Sequence, residues 1–256
     1  MRIVFIGAVE FSRSALQCLI GIRANVVGVC TLEKSSFNAD HSDLSLVCES
    51  YAIPWLYTPD VNSADAVEWM AKLQPDVVFC FGWSKLIGPN VLAMAPLGVV
   101  GFHPSSLPAN RGRHPLIWAL ALGLDETAST FFFMDAGADS GDILSQKKVR
   151  IDDDDDAASL YAKITATALT QIREFVPQLI DRSFHRVPQN SRGANTWRKR
   201  GRFDGQIDWR MSAGSIHNLV RALTKPYVGA HFEHHGQEYK VWKTAIVPEV
   251  GKNIEP

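Results

Sequence analysis

Short apolar runs alternate with amphipathic stretches through the first half of the chain. Arg2–Gly7 is a β-branched run closed by glycine, and Asn25–Leu32, Ile53–Tyr57, Asp76–Phe81 and Leu97–Phe102 repeat the pattern. Between them, Phe11, Ala15, Leu19 and Ile22 recur at helical spacing, Asp43–Tyr51 offers a short helix, and Ala64–Leu73 offers another. Pro75 closes that last helix, because the residue before a proline is driven out of the helical region. Strands that are apolar throughout and alternate with helices predict right-handed crossovers and a mostly parallel sheet covered on both faces. The expected fold class is therefore α/β with a Rossmann-like, mostly parallel sheet. In such sheets ligands gather beyond the carboxyl ends of the strands.

The second half changes character. Leu116–Leu122 is a short helical patch, and Ser129–Met134 and Ile143–Ile151 read as antiparallel partners about the turn Asp135–Asp142. Five aspartates, Asp152–Asp156, then precede a run with Leu160, Ile164, Ala168, Ile172, Phe175 and Leu179 on one face. Carboxylates there cap a helix and oppose its dipole, which explains them better than calcium does. After Arg186 the composition turns polar and basic. Gln206–Trp209, a helix over Ser212–Leu223 and strands at Ala230–Phe232 and Glu238–Ala245 follow. The expected division is a main domain over 1–188, a linker over 189–205 and a small, mainly β C-terminal module over 206–256, with disorder only at Pro248–Pro256.

Composition narrows the classes. Hydrophobic residues make up 46% and charged residues 21% of 256, ordinary for a globular protein. A net charge of −1 argues against a large nucleic-acid footprint. Cys18, Cys30, Cys48 and Cys80 form no C-x-x-C pair and sit in or beside apolar runs, so buried free thiols are expected. The apolar start at Ile3 is too short for a signal sequence, and no run reaches the ~18 residues of a membrane span. These features predict a cytoplasmic protein without a membrane partner.

Candidate chemistry concentrates in two places. Gly101–Pro115 reads G-F-H-P-S-S-L-P-A-N-R-G-R-H-P directly after a predicted strand, which puts His103 at a carboxyl end and Arg111 and Arg113 within reach of an anion. The turn D-A-G-A-D-S-G-D over 135–142 carries Asp139. A carboxylate beside an imidazole orients the ring and stabilises its charged form, a natural acid/base device. His231, His234 and His235 lack a cysteine to complete a zinc site, so surface positions are the simpler reading, and no metal is expected. Trp197–Arg200 with Arg192 and Arg202 reads as a solvated linker or a basic wall facing a phosphate-bearing substrate. Gly7–Ser12 has neither G-x-G-x-x-G nor a Walker lysine, and Ser105 and Ser106 lie outside G-x-S-x-G.

Several blocks, in order along nearly the whole chain, resemble the formyltransferase family. His103-Pro104-Ser105-Ser106-Leu107-Pro108 with Arg111-Gly112 and Pro115 resembles its H-x-S-L-L-P-x-x-R-G-x-x-P signature. Ala138–Ile143 resembles its second block, residues 7–12 its first loop, and Ile207-Asp208-Trp209 with Ile216–Ala222 and Pro226 the entry to its C-terminal domain. The resemblance implies transfer of a formyl group from 10-formyltetrahydrofolate to a primary amine, with His103 and Asp139 catalytic. It implies folate contacts at Phe81, Gly82, Trp83, Leu86, Ile87, Gly137, Ala138 and Asp142, and acceptor contacts at Glu10, Phe11, Ser12, Arg13, Ser105, Arg111 and Arg113. The family's triad begins with an asparagine two residues before the histidine, where this chain has Gly101. Asn110, a backbone N–H or a water could supply the missing donor. The short C-terminal module and the lack of basic excess favour a small acceptor, an amino sugar or its nucleotide-linked form. Methionyl-tRNA, hydrolytic release of formate and folate binding without transfer are the alternatives. The module could also serve as a homodimer contact.

Overall fold

The computed structural model describes residues 1–35 and 39–247. The tail expected to be disordered, 248–256, lies outside them.

Five strands, β1 (Arg2–Ile6), β2 (Asn25–Thr31), β3 (Trp55–Tyr57), β4 (Val77–Cys80) and β5 (Val99–His103), alternate with helices α1 (Glu10–Gly21), α2 (Ser45–Ser50), α3 (Ala64–Lys72) and α4 (Pro89–Leu92). After β5 come a two-residue strand, β6 (Arg111–Gly112), helix α5 (Pro115–Ala121), the long strands β7 (Glu126–Phe133) and β8 (Ile143–Arg150), and helix α6 (Ala157–Asp181). A second two-residue strand, β9 (Thr196–Trp197), helix α7 (Ala213–Leu223) and the hairpin β10 (Ala230–His234) with β11 (Gln237–Val241) complete the chain. The main sheet runs β3-β2-β1-β4-β5-β7-β8. Its first five members are parallel, β7 runs antiparallel to them, and β8 pairs antiparallel with β7. The strand order reverses direction between β1 and β4, the position where open α/β sheets leave a crevice.

The apolar pattern explains the layers. Phe5, Phe79, Phe81, Phe131 and Phe175 lie in a core shared with α1 and α6 on one face. Val4, Ile6, Val78, Cys80 and Met70 form the core on the other. The aspartate run caps α6: the Asp156 carboxylate accepts from the amides of Ala158 and Ser159, and Asp152 and Asp155 pair with Lys163. All four cysteines are free and buried, and burial pushes the Cys30 and Cys80 thiols up to about 12. Among the described residues no helix is long and apolar enough to cross a membrane.

The C-terminal helix and hairpin pack on α5 and the start of α6 through Leu219, Val220, Leu223 and Ala230. One expectation fails here. His234 and His235 are exposed, but His231 is 2% exposed. Its strand is covered by residues 205–207: the Ile207 amide donates to the His231 carbonyl, and Gly205 lies against the ring. Burial lowers the His231 pKa against the opposing pull of Glu238, 3.9 Å from Nε2, and among the described residues that nitrogen has no hydrogen-bond partner. The unfolded chain therefore takes up a proton first as pH falls below about 6.5, so this contribution to stability is complete above that pH and lost on the acid side. Melting temperature should fall from about pH 7 to about pH 5, and His231→Leu should make that fall shallower. An equally steep fall in the variant would remove His231 as a cause.

Candidate active site

β5 ends on His103, whose side chain is nearly buried. Its Nε2 lies 2.9 Å from the carbonyl oxygen of Asn110. A carbonyl only accepts, so Nε2 carries a proton in this arrangement. That leaves Nδ1 as the ring atom able to take up or release a second proton. Nδ1 faces Asp139 Oδ2 at 3.6 Å, too long for a hydrogen bond but close enough for an ion pair once the ring is charged. Asp139 adopts a left-handed backbone, φ +54°, and its Oδ2 accepts the Gly112 amide at 2.9 Å.

The segment expected as a linker is tied down along its first half. β9 pairs in parallel with β6, and the amides of Arg111 and Arg113 donate to the carbonyls of Asn195 and Trp197. Asn195 accepts the Asn110 amide at 2.7 Å and donates to the Asn110 side chain at 3.1 Å. Asn110 therefore turns to Asn195, and its carbonyl meets His103. Gln189 donates to the carbonyls of Asp139 and Gly141 and accepts from Arg111 Nε and Nη2. Arg111, expected to grip an anion, directs those two donors to Gln189. Farther along, Arg198 pairs with Asp204 and holds its carboxyl well below the usual range. Arg200 lies over Trp118 at 4.4 Å, and Arg202 pairs with Glu233 and Glu238. Two cations of the basic run, Arg198 and Arg202, are thus paired with carboxylates within the chain.

Gly101 is buried, and a Cβ there would meet Met134 Cγ at 2.9 Å and Phe132 Cζ at 3.1 Å. The place a side-chain amide would take is filled by a thioether and a ring.

The loop after β4 is held open on several sides. Gly82 has φ +73°, and a Cβ there would run into Val9 at 2.3 Å, so only glycine lets this loop cross the start of α1 so closely. Asn62 ties Leu86 and Gly88, and Arg113 Nη1 donates to the Ser84 carbonyl at 3.0 Å. A cavity of about 420 Å³ opens beside this loop at the carboxyl ends of β2, β3 and β4, lined by Leu32, Pro59, Trp83, Lys85, Arg113 and Lys199 among others. The Trp83 indole N–H is buried and has no partner among the described residues.

Other expected contacts divide by burial. Leu86 is exposed, as are Gly137 and Ala138, and Asp142 is half-buried. Phe81, Ser12 and Ser105 are wholly buried, and Phe11 and Ile87 nearly so. Ser12 Oγ donates to the Phe81 carbonyl, Ser105 Oγ to that of Ala109, and Phe11 packs on Phe102. Glu10 and Arg13 pair with each other at the surface. The motif positions do not tell which way each side chain turns. The sequence reading also missed Asp40 and Tyr161: Glu10 and Phe11 donate their amides to the Asp40 carbonyl and the Tyr161 hydroxyl, which itself donates to the Asp40 carboxylate. Two first-turn amides of α1, those of Glu10 and Phe11, are therefore already engaged. Nothing in the local pattern marks Gln189, Asn195 or Met134, whose contacts are all long-range.

Comparison with known proteins agrees with this architecture. Residues 1–174 match the family described as formyl transferase, and residues 202–256 match the formyl transferase C-terminal domain. The chain is 30% identical over 248 residues to the bifunctional polymyxin resistance protein ArnA of Wigglesworthia glossinidia brevipalpis, covering 96% of this chain and 38% of that protein. It thus spans well under half of that relative. Among solved structures, a 4-N formyltransferase from Francisella tularensis superposes with a TM-score of 0.78 at 20% identity, covering 96% of this chain and 98% of that one. An N-formyltransferase from Helicobacter canadensis, in complex with folinic acid and dTDP-3-aminofucose, gives 0.77 at 17% identity, covering 98% and 90%. With a buried histidine facing a carboxylate at the strand ends, and with family matches over both parts of the sequence, the chain belongs to the formyl transferase family.

Proposed function

We propose that this chain transfers a formyl group from 10-formyltetrahydrofolate to the primary amine of an amino sugar, in free or nucleotide-linked form. The observation that carries the reading is His103 Nδ1 facing Asp139 at the mouth of a strand-end crevice, with a cationic cavity alongside. The donor supplies an activated formyl carbon: the acceptor nitrogen forms a bond to it as its bond to the folate nitrogen breaks. His103 Nδ1 takes the proton that the attacking amine must lose and returns it to the departing nitrogen. Asp139 stabilises the imidazolium in between. Holding both reactants against this pair supplies much of the acceleration.

The cavity fits the donor. Lys85, Arg113 and Lys199 suit the glutamate carboxylates of a folate, and Trp83 offers a flat face and an N–H. A small acceptor is supported by the internal pairing of Arg198 and Arg202, which ties up two cations of this run. It is supported as well by the amino-sugar ligand of the Helicobacter structure. The four buried thiols favour a cytoplasmic setting. One feature favours a second reading, folate binding without transfer: the filled place at Gly101 holds no oxyanion donor. Losing one such donor typically costs ~10²–10³ in rate, which slows transfer without abolishing it.

Incubation with 10-formyltetrahydrofolate and a panel of free amino sugars, nucleotide-linked amino sugars and methionyl-tRNA, read by mass spectrometry, tests the assignment. A formylated sugar is the expected product. Folate release without acceptor would mark a hydrolase, and binding with no product on any amine would mark the non-catalytic reading. His103→Ala and Asp139→Ala should each lower kcat by ~10²–10⁴ while the chain stays folded at the assay temperature, and near wild-type rates would remove them from the mechanism. Arg113→Ala should weaken folinic acid binding about tenfold, read by quenching of tryptophan fluorescence. An unchanged affinity would move the donor out of this cavity. Gly101→Ala should destabilise the fold by about 1–3 kcal/mol through overpacking, and Met134→Ala in the same chain should relieve it. Thermal melts of the single and double variants check this, and additive losses would mean that Met134 is not the obstacle.

A further inference from the structure

We propose that Gln189 is a positioning residue: its amide clips the Asp139 loop to the strand that follows the His103 loop, and thereby sets the distance between the two catalytic side chains. The kinetic part of this inference rests on the formyl-transfer reading, and the structural part does not.

Sheet register creates the need for a clip. β5 and β7 are antiparallel, with His103 opposite Thr130 and Val100 opposite Phe133. The chain leaves β7 at Met134, whose amide donates to the carbonyl of Val99 at 2.7 Å. Val99 lies four residues before His103, about 13 Å along a strand. The turn thus begins at the wrong end of β5, yet Asp139 ends 3.6 Å from His103. The 135–142 loop must double back along the strand, outside the reach of the sheet's own hydrogen bonds. Asp139 also sits at φ +54°, a region that costs a non-glycine residue roughly 1–2 kcal/mol, so its surroundings have to hold it there.

Two contacts do so. The Gly112 amide holds the Asp139 carboxylate, and Gln189 Nε2 donates to the carbonyls of Asp139 at 2.9 Å and Gly141 at 2.7 Å. On its other side Gln189 Oε1 accepts from Arg111 Nε at 3.2 Å and Nη2 at 2.6 Å. Arg111 and Gly112 are the two residues of β6. Both donors and both lone pairs of one side-chain amide are therefore engaged across the two loops. Glutamate cannot reproduce this, because it has no N–H to give the carbonyls, and a hydrocarbon side chain can do neither. Gln189 is itself placed by the antiparallel bridge between Val187 and Ile143, at the foot of the loop it clips.

The experiment pairs Gln189→Glu with Gln189→Leu. Glutamate keeps an acceptor for Arg111 and so guards the fold if leucine does not. The Gly112 amide reports where Asp139 is, since that carboxylate is its acceptor. Its hydrogen exchange, followed by NMR, should speed up about tenfold in both variants, toward the rate in Asp139→Ala, while exchange in β1 and β4 is unchanged. In transfer assays kcat should fall roughly 10–100-fold with the KM for 10-formyltetrahydrofolate within about threefold, the signature of a displaced pair in an intact binding site. Wild-type exchange at Gly112 in Gln189→Glu overturns the proposal, and so does faster exchange with an unchanged kcat. If the wild-type chain formylates no amine, the transfer reading fails, and the clip stands or falls on the Gly112 exchange alone.

Discussion

The hydrogen bond from the Gly112 amide to the Asp139 carboxylate joins two loops that the main sheet would leave apart. Gly112 can make it because β6 is pinned to β9, and the same pairing brings Asn195 against Asn110. The Asn110 carbonyl then fixes the proton on His103 Nε2 and leaves Nδ1 for the carboxylate. A parallel ladder of two residues per strand thus orients both members of the pair. Catalytic groups contribute most when their geometry is fixed before the reaction, so that no reorganisation is needed as charge develops. Here the fixing comes from a connection between the sheet and the C-terminal helix and hairpin.

The surroundings of the pair raise the electrostatic stakes. His103 is nearly buried, and the wall beside it at Gly101 is made of Met134 and Phe132. Charge on the imidazole is poorly solvated there, so its stabilisation falls to Asp139, and a misplaced carboxylate is not readily replaced by solvent. An apolar wall also offers nothing to a developing oxyanion. In the proposed transfer, donation to that oxygen would come from backbone amides or from bound water.

Much of the fold was legible because its causes are local. Continuous apolar runs gave the parallel strands, helical spacing gave α1, α3 and α6, and a run of aspartates gave the cap of α6. The His–Asp pair was legible only through motif resemblance, since its members are joined by a loop that runs against the register of its own strands. Parity within a motif was not legible. Ser12, Phe11, Ser105 and Phe81 lie in the expected blocks yet turn into the core, because the chain there is packed from both sides. His231 looked like a surface histidine because residues 205–207 cover it, and no pattern within β10 announces that cover. Gln189 and Asn195 read as ordinary linker residues for the same reason: their partners lie 48–85 positions away.

Where negative charge can sit follows from which donors are already engaged. In many α/β folds the first helix receives an anion on its free amides. In this chain those amides meet the Asp40 carbonyl and the Tyr161 hydroxyl, with the Asp40 carboxylate close behind. Burial and that carboxylate push the Tyr161 hydroxyl pKa far up, so it stays a neutral donor and acceptor. An incoming phosphate would find a carboxylate at the position where other folds present bare N–H groups. Lys85, Arg113 and Lys199 lie instead around the cavity beside the β4 loop. Positive charge is thus gathered at this cavity rather than at the start of α1. At the start of α1, Glu10 and Arg13 pair with each other.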